Sequence, residues 1–99
     1  MMNILQNREN DKLTFVIIGR VDTVTAPDFE KAVLEIPTDI TELVLDLKDM
    51  EYTSSAGLRV ILKAQKQMNK QGKMRIINVQ SDIMDIFNMT GFSDILTIE

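Results

Sequence analysis

Two adjacent serines, Ser54 and Ser55, follow Asp49-Met50-Glu51-Tyr52-Thr53 and precede Ala56-Gly57-Leu58-Arg59. Hydroxyls at a helix start have three chemical uses: to cap unpaired backbone N–H groups, to accept a phosphate, or to attack as a nucleophile beside a general base. The third use needs a base of suitable type. The chain has no histidine and no cysteine, which removes the Ser-His-Asp triad, thiol catalysis and every His- or Cys-ligated metal site. A small serine-dependent hydrolase would have to run on carboxylates, lysine or tyrosine alone, and this reading stands last. Asp22, Asp46, Asp49 and Glu51 gather near the serines if the strand ends meet on one sheet edge, yet their spacing matches no metal-binding loop. No phosphate-cradling glycine motif is present either. No catalytic residue, metal or cofactor is expected. A phosphate on a serine here would sit against free N–H groups and the positive end of the helix dipole, adding about −1.5 to −2 charges.

The flanking sequence must position these hydroxyls. Leu43-Val44-Leu45-Asp46-Leu47 is nearly continuous in apolar character, as in a parallel strand buried on both faces by helices. Asp46 to Thr53 then reads as a polar connection. From Val60 to Lys70 the apolar residues Val60, Ile61, Ala64 and Met68 share one helical face, widened by Leu58 and Leu62, while Lys63, Gln65, Lys66, Gln67 and Lys70 face water. Gly72 ends this helix. A glycine one turn into a helix costs about 1 kcal/mol against alanine. Gly57 therefore implies either a helix starting near Leu58 or a close approach by a partner or a neighbouring strand.

Upstream, Asn3–Arg8 and Leu13–Ile18 read as an antiparallel hairpin turning at Asn10-Asp11. Gly19 breaks the second strand, and residues 20–24 form a connection. Thr25 caps a helix with Pro27 in its first turn and Phe29, Ala32, Val33 and Ile36 on its inner face; Pro37 stops it. Downstream, Met74–Val79 is a strand, Ser81-Asp82 starts a third helix with Ile83, Ile86 and Phe87 inward, and Gly91 ends it in a left-handed cap with Phe92 packing back. Ile95–Ile98 is a closing strand or a short last helix. Most of the seven methionines are core fillers, with Met50 or Met89 available as a soft edge contact.

Ninety-nine residues, 44% apolar and 26% charged, suit one globular domain spanning 1–99. A net charge of −4 argues against nucleic acid as a partner. No apolar run reaches the roughly 20 residues of a membrane span, and the N-terminus lacks a signal-peptide pattern. The expected location is the cytoplasm.

Gly19-Arg20-Val21-Asp22-Thr23-Val24-Thr25-Ala26-Pro27, then Leu45-Asp46-Leu47, then Tyr52-Thr53-Ser54-Ser55-Ala56-Gly57-Leu58-Arg59-Val60, with the late Met89-Thr90-Gly91-Phe92, resemble the STAS domain. More narrowly they resemble the stand-alone bacterial anti-sigma factor antagonists, over nearly the whole chain. The resemblance implies an α/β fold: a single domain whose mixed β-sheet has four to five strands, an N-terminal antiparallel hairpin and flanking helices. It also implies partner switching without catalysis. The antagonist binds an anti-sigma factor that is its serine kinase, releasing a sigma factor; phosphorylation breaks the complex, and a PP2C-type phosphatase restores it. The kinase supplies the ATP, so this chain needs no cofactor. Ser55 is the first phosphorylation candidate and Ser54 the second, because Ala56 stands where family members carry the accepting hydroxyl before Gly-Leu. The implied partner-binding surface is Asp22, Thr23, Ser54, Ser55, Ala56, Gly57 and Arg59. The alternative is a STAS adaptor that binds through the same surface without phosphorylation, in another signalling complex or in lipid transport.

Overall fold

The computed structural model describes residues 2–99. Strands β1 (Met2–Glu9) and β2 (Lys12–Val21) form the expected antiparallel hairpin, from Met2 opposite Gly19 to Glu9 opposite Lys12. Asn10 takes the positive φ (56°) that a two-residue turn requires. Helix α1 spans Ala26–Leu34 and strand β3 spans Glu42–Asp46, parallel to the first half of β2. A short strand β4 (Met50–Thr53) then pairs in parallel with the end of β2. Helix α2 (Ser55–Gln71), strand β5 (Lys73–Ile77, parallel to β3) and helix α3 (Ser81–Thr90) follow. The result is a five-stranded mixed sheet in the order β1-β2-β3-β5, with β4 beside β2 beyond the end of β3.

Two expectations fail around the site. Gly19 does not end β2. It sits at φ 94° at a register shift, after which Arg20 pairs with Tyr52 and Val21 with Thr53. A bulge with glycine at positive φ keeps the strand going while re-aiming it. The stretch Asp46–Thr53 is likewise not all connection. The chain leaves β3, turns at Lys48-Asp49, and re-enters the sheet as β4.

The core lies between one sheet face and all three helices. Leu13, Phe15, Ile17, Leu43, Leu45, Met74 and Ile76 point inward against Phe29, Val33, Val60, Ile61, Ala64, Met68, Ile83 and Phe87 in a single cluster. Fully burying such side chains contributes about 1.5–3 kcal/mol each. The apolar run 43–47 is therefore parallel, as expected, but is covered by helices on one face only. On the other face Val44 is still buried, flanked in register by Thr14 and Arg75.

Smaller departures have local causes. Gln65 does not face water: it is buried, its Nε2 donates to Asn69 Oδ1 at 2.9 Å, and its Oε1 has no partner among the described residues. Met50 is fully buried and Met89 is exposed, so only the latter offers an edge. Gly91 ends α3 at φ 79°, as expected. The tail after it is one turn of 3-10 helix (Phe92–Asp94) followed by an isolated parallel bridge from Ile98 to Ile76. No helix among the described residues is long and apolar enough to cross a membrane.

Candidate functional site

The site is built where β2 and β4 end side by side. Ser54 N donates to Val21 O at 2.8 Å, which docks the start of α2 on the end of β2. From Val21 the chain enters a knot at Asp22. Its carboxylate accepts from Val24 N (3.0 Å) and Thr25 N (3.1 Å), while Asp22 N donates to Thr25 Oγ1 (2.9 Å). The Thr25 hydroxyl donates in turn to Arg20 O at 2.9 Å. This reciprocal pair, three residues apart, is the geometry of a capping box. Thr25 is already helical and makes no cap bond of its own, so the capping role expected of Thr25 belongs to Asp22. The N–H bond from Thr25 is the main cause that holds the Asp22 carboxyl below its ordinary range, opposed by partial desolvation and helped by Val24 N–H and the Thr25 hydroxyl.

The serines part company. Ser54 is the N-cap of α2 (φ −90°, ψ 177°), but its hydroxyl makes no cap bond; Oγ is buried and has no partner among the described residues. Ser55 is exposed at the first helical position. Gly57 is buried inside the helix, not ahead of it. A Cβ there would lie 2.8 Å from Val21 Cγ1 and collide with Thr53 Oγ1. The close approach inferred for Gly57 is therefore by the chain's own strands, and Gly57 contributes no surface.

Of the seven residues expected to form a partner surface, Thr23, Ala56 and Arg59 are brought together. They line one cleft of about 310 Å³ between α1 and α2, with Ala26, Pro27 and Val60. Glu30 and Lys63 bridge the two helices along the same cleft. Ser55 stands exposed between Ser54 and Ala56. Asp22, Ser54 and Gly57 do not line the cleft; Asp22 and Ser54 are half-buried and Gly57 is buried. The acidic set does not assemble. Asp46 is buried at the end of β3, accepting from Lys48 N (3.1 Å) and Asn78 Nδ2 (3.2 Å). Among the described residues no cluster of three potential metal ligands exists.

Two features escaped the sequence. Val24 is 81% exposed on the loop held by Asp22, and the Arg20 guanidinium sits 4.3 Å over the Tyr52 ring at the β2–β4 edge. An apolar residue inside an Asx-type turn was a readable sign for the first. The second depended on β4, which the sequence hid.

This arrangement has close counterparts. The family model for the STAS domain matches residues 3–99. The chain belongs to the STAS domain family. It is 31% identical to an anti-sigma-B factor antagonist of Bacillus subtilis, over 98% of this chain and 92% of that one. A protein of the same name from Listeria monocytogenes is 30% identical, over 99% of this chain and 90% of that one. In three dimensions an anti-sigma factor antagonist from Mycobacterium paratuberculosis superposes with a TM-score of 0.89 at 21% identity, covering 99% of this STAS domain and 85% of that chain. That likeness bears on the fold alone.

Proposed function

We propose that this STAS domain is an anti-sigma factor antagonist: it binds an anti-sigma factor and thereby releases a sigma factor. The observation that carries the reading is the likeness, over 98% of the chain, to a protein named anti-sigma-B factor antagonist. The geometry is in keeping with it. Thr23, Val24, Ser55, Ala56 and Arg59 offer a surface of hydroxyls, apolar contact and a cation, suited to a protein partner. A binding surface of this kind needs no catalytic step in the chain itself.

Regulation by phosphate belongs to the same proposal. Ser55 is the acceptor rather than Ser54, because Ser55 is exposed to a kinase whereas the Ser54 Oγ is shielded from solvent. On Ser55 the dianion would rest at the positive end of a 17-residue helix, so the fold tolerates it while the partner meets a new charge. The kinase would be the anti-sigma factor, the resetting enzyme a PP2C-type phosphatase, and the compartment the cytoplasm.

Capture of the protein from its native cells, with mass spectrometry of what accompanies it, tests both parts. The expected eluate contains a protein with a histidine-kinase-like ATPase fold, and the tryptic peptide Asp49–Arg59 carries phosphate on Ser55 under some growth condition. A kinase-like partner with a peptide never modified would leave phosphorylation-independent antagonism. A lipid-transport complex in its place would overturn the antagonist reading.

A further inference from the structure

Strand β1 is the open edge of the described sheet, and from Met2 to Asn7 no charge, proline or bulge blunts it. Native edge strands are usually shielded by charges, proline, a bulge or a covering segment. From Met2 to Asn7 the strand reads Met-Asn-Ile-Leu-Gln-Asn, with no charge and no proline, and it pairs with β2 through eight residues without a register shift. Its one cation is turned away: Arg8 donates through Nε to Asn10 O at 2.8 Å and pairs with Asp39 at 2.8 Å.

The direction of the free hydrogen-bonding groups follows from the turn. In a two-residue hairpin the flanking residues, here Glu9 and Lys12, form the hydrogen-bonded pair. Alternation then points Asn7, Leu5 and Asn3 toward β2, and leaves the N–H and C=O groups of Arg8, Gln6, Ile4 and Met2 facing outward. Leu5 is 58% exposed on the helix-free face of the sheet, next to half-buried Val16.

We propose that a second copy of this chain pairs with β1 in antiparallel fashion about a two-fold axis at Leu5, joining two sheets into one of ten strands. In that register Leu5 faces Leu5 of the other copy, Asn3 faces Asn7, and Ile4 faces Gln6. Only this centre sets leucine on leucine and amide on amide, and it opposes no like charges. The four outward-facing residues supply donors and acceptors in matching positions on both copies. The contact is narrow, since a single strand pair buries less than a standard interface, so the association is concentration-dependent. It uses the side of β2 opposite β4 and does not depend on the proposed function.

The chain contains no cysteine, which makes the test clean. Facing residues at a non-hydrogen-bonded antiparallel site have Cα atoms about 4.5 Å apart, within disulfide range. Under mild oxidation Leu5→Cys should form a disulfide-linked dimer. Asn3→Cys alone should form at least tenfold less, because the two copies of residue 3 would be about 13 Å apart. Mixing Asn3→Cys with Asn7→Cys should restore cross-linking between the two variants. Gln6→Pro removes one outward N–H without touching the β1–β2 ladder. It should keep the native circular dichroism spectrum and abolish the rise of sedimentation mass with concentration that the unaltered protein shows. Should Gln6→Pro fail to fold, the cysteine pattern decides alone. A monomer at every concentration up to about 1 mM, or equal cross-linking at positions 3 and 5, overturns the proposal.

Discussion

Single residues here carry roles that differ from those their types suggest. A serine N-cap commonly contributes about 1 kcal/mol. Ser54 makes no cap bond and its buried Oγ has no partner among the described residues, so Ser54→Ala should change stability in urea by less than about 0.5 kcal/mol. A loss of a full cap's worth would show that the hydroxyl is bonded after all. Gly57→Ala is the opposite case. The added methyl meets Val21 and Thr53, and overpacking of that kind costs about 1–3 kcal/mol. Its effect should appear as a lowered denaturation midpoint before any partner is added. Asp22 supplies a pH signature. Its carboxyl is held below its ordinary value by Thr25 N–H first, so it titrates lower in the folded state than in the unfolded chain. Its contribution is therefore full above about pH 4 and is lost as pH falls through the depressed folded value. The Tm difference between the unaltered protein and Asp22→Asn should be present at pH 7 and shrink progressively as acid takes the carboxyl through its depressed folded value. A difference that persists unchanged in acid would contradict the role of the ionised carboxylate.

At the scale of elements, what the sequence made legible was whatever had a strong local signal. The β1–β2 hairpin, the inner face of α3 and the left-handed Gly91 all follow from propensity and spacing, whereas α1 ends at Leu34, ahead of the stop expected at Pro37, and leaves Ile36 buried outside the helix. Strand β4 did not show, because four residues with Glu51 and Tyr52 exposed carry too little periodicity; only pairing with β2 beyond the Gly19 bulge makes them a strand. The apolar run 43–47 suggested two covered faces, yet Val44 is enclosed by neighbouring strands' side chains rather than by a helix. The site inherits both limits. Ser55, Thr23 and Arg59 were found from sequence, whereas the shielding of the Ser54 hydroxyl and the burial of Gly57 depend on how α2 docks against β2 and β4. That docking is braced from outside by Gln80, whose Nε2 donates to Lys48 O at 2.6 Å and Met50 O at 3.1 Å. Gln80→Ala should cost about 1 kcal/mol and speed amide exchange in Met50–Thr53 ahead of the rest of the sheet. Uniform acceleration across all strands would mean that β4 is not a separately held element.

The whole molecule is a two-layer α/β domain that leaves the far face of its sheet without helices. It brings the exposed hydroxyls of Thr23 and Ser55, with Val24 and Arg59, to the end where β2, β4 and α2 meet. At the other end Arg75 pairs with Glu42 at 2.6 Å and Glu99 at 3.0 Å, and the Arg75 bond holds Glu42 below its ordinary pKa. Arg59, by contrast, is exposed and takes part in no ion pair among the described residues. A partner that meets the site end therefore meets a free cation. Calorimetric titration with the anti-sigma factor captured from native cells is the most direct test of that account. The expected result is a one-to-one complex that Arg59→Glu weakens at least tenfold, about 1.4 kcal/mol, with no change in Tm. An affinity that Arg59→Glu leaves unchanged would place the partner elsewhere on the domain and contradict the proposed surface.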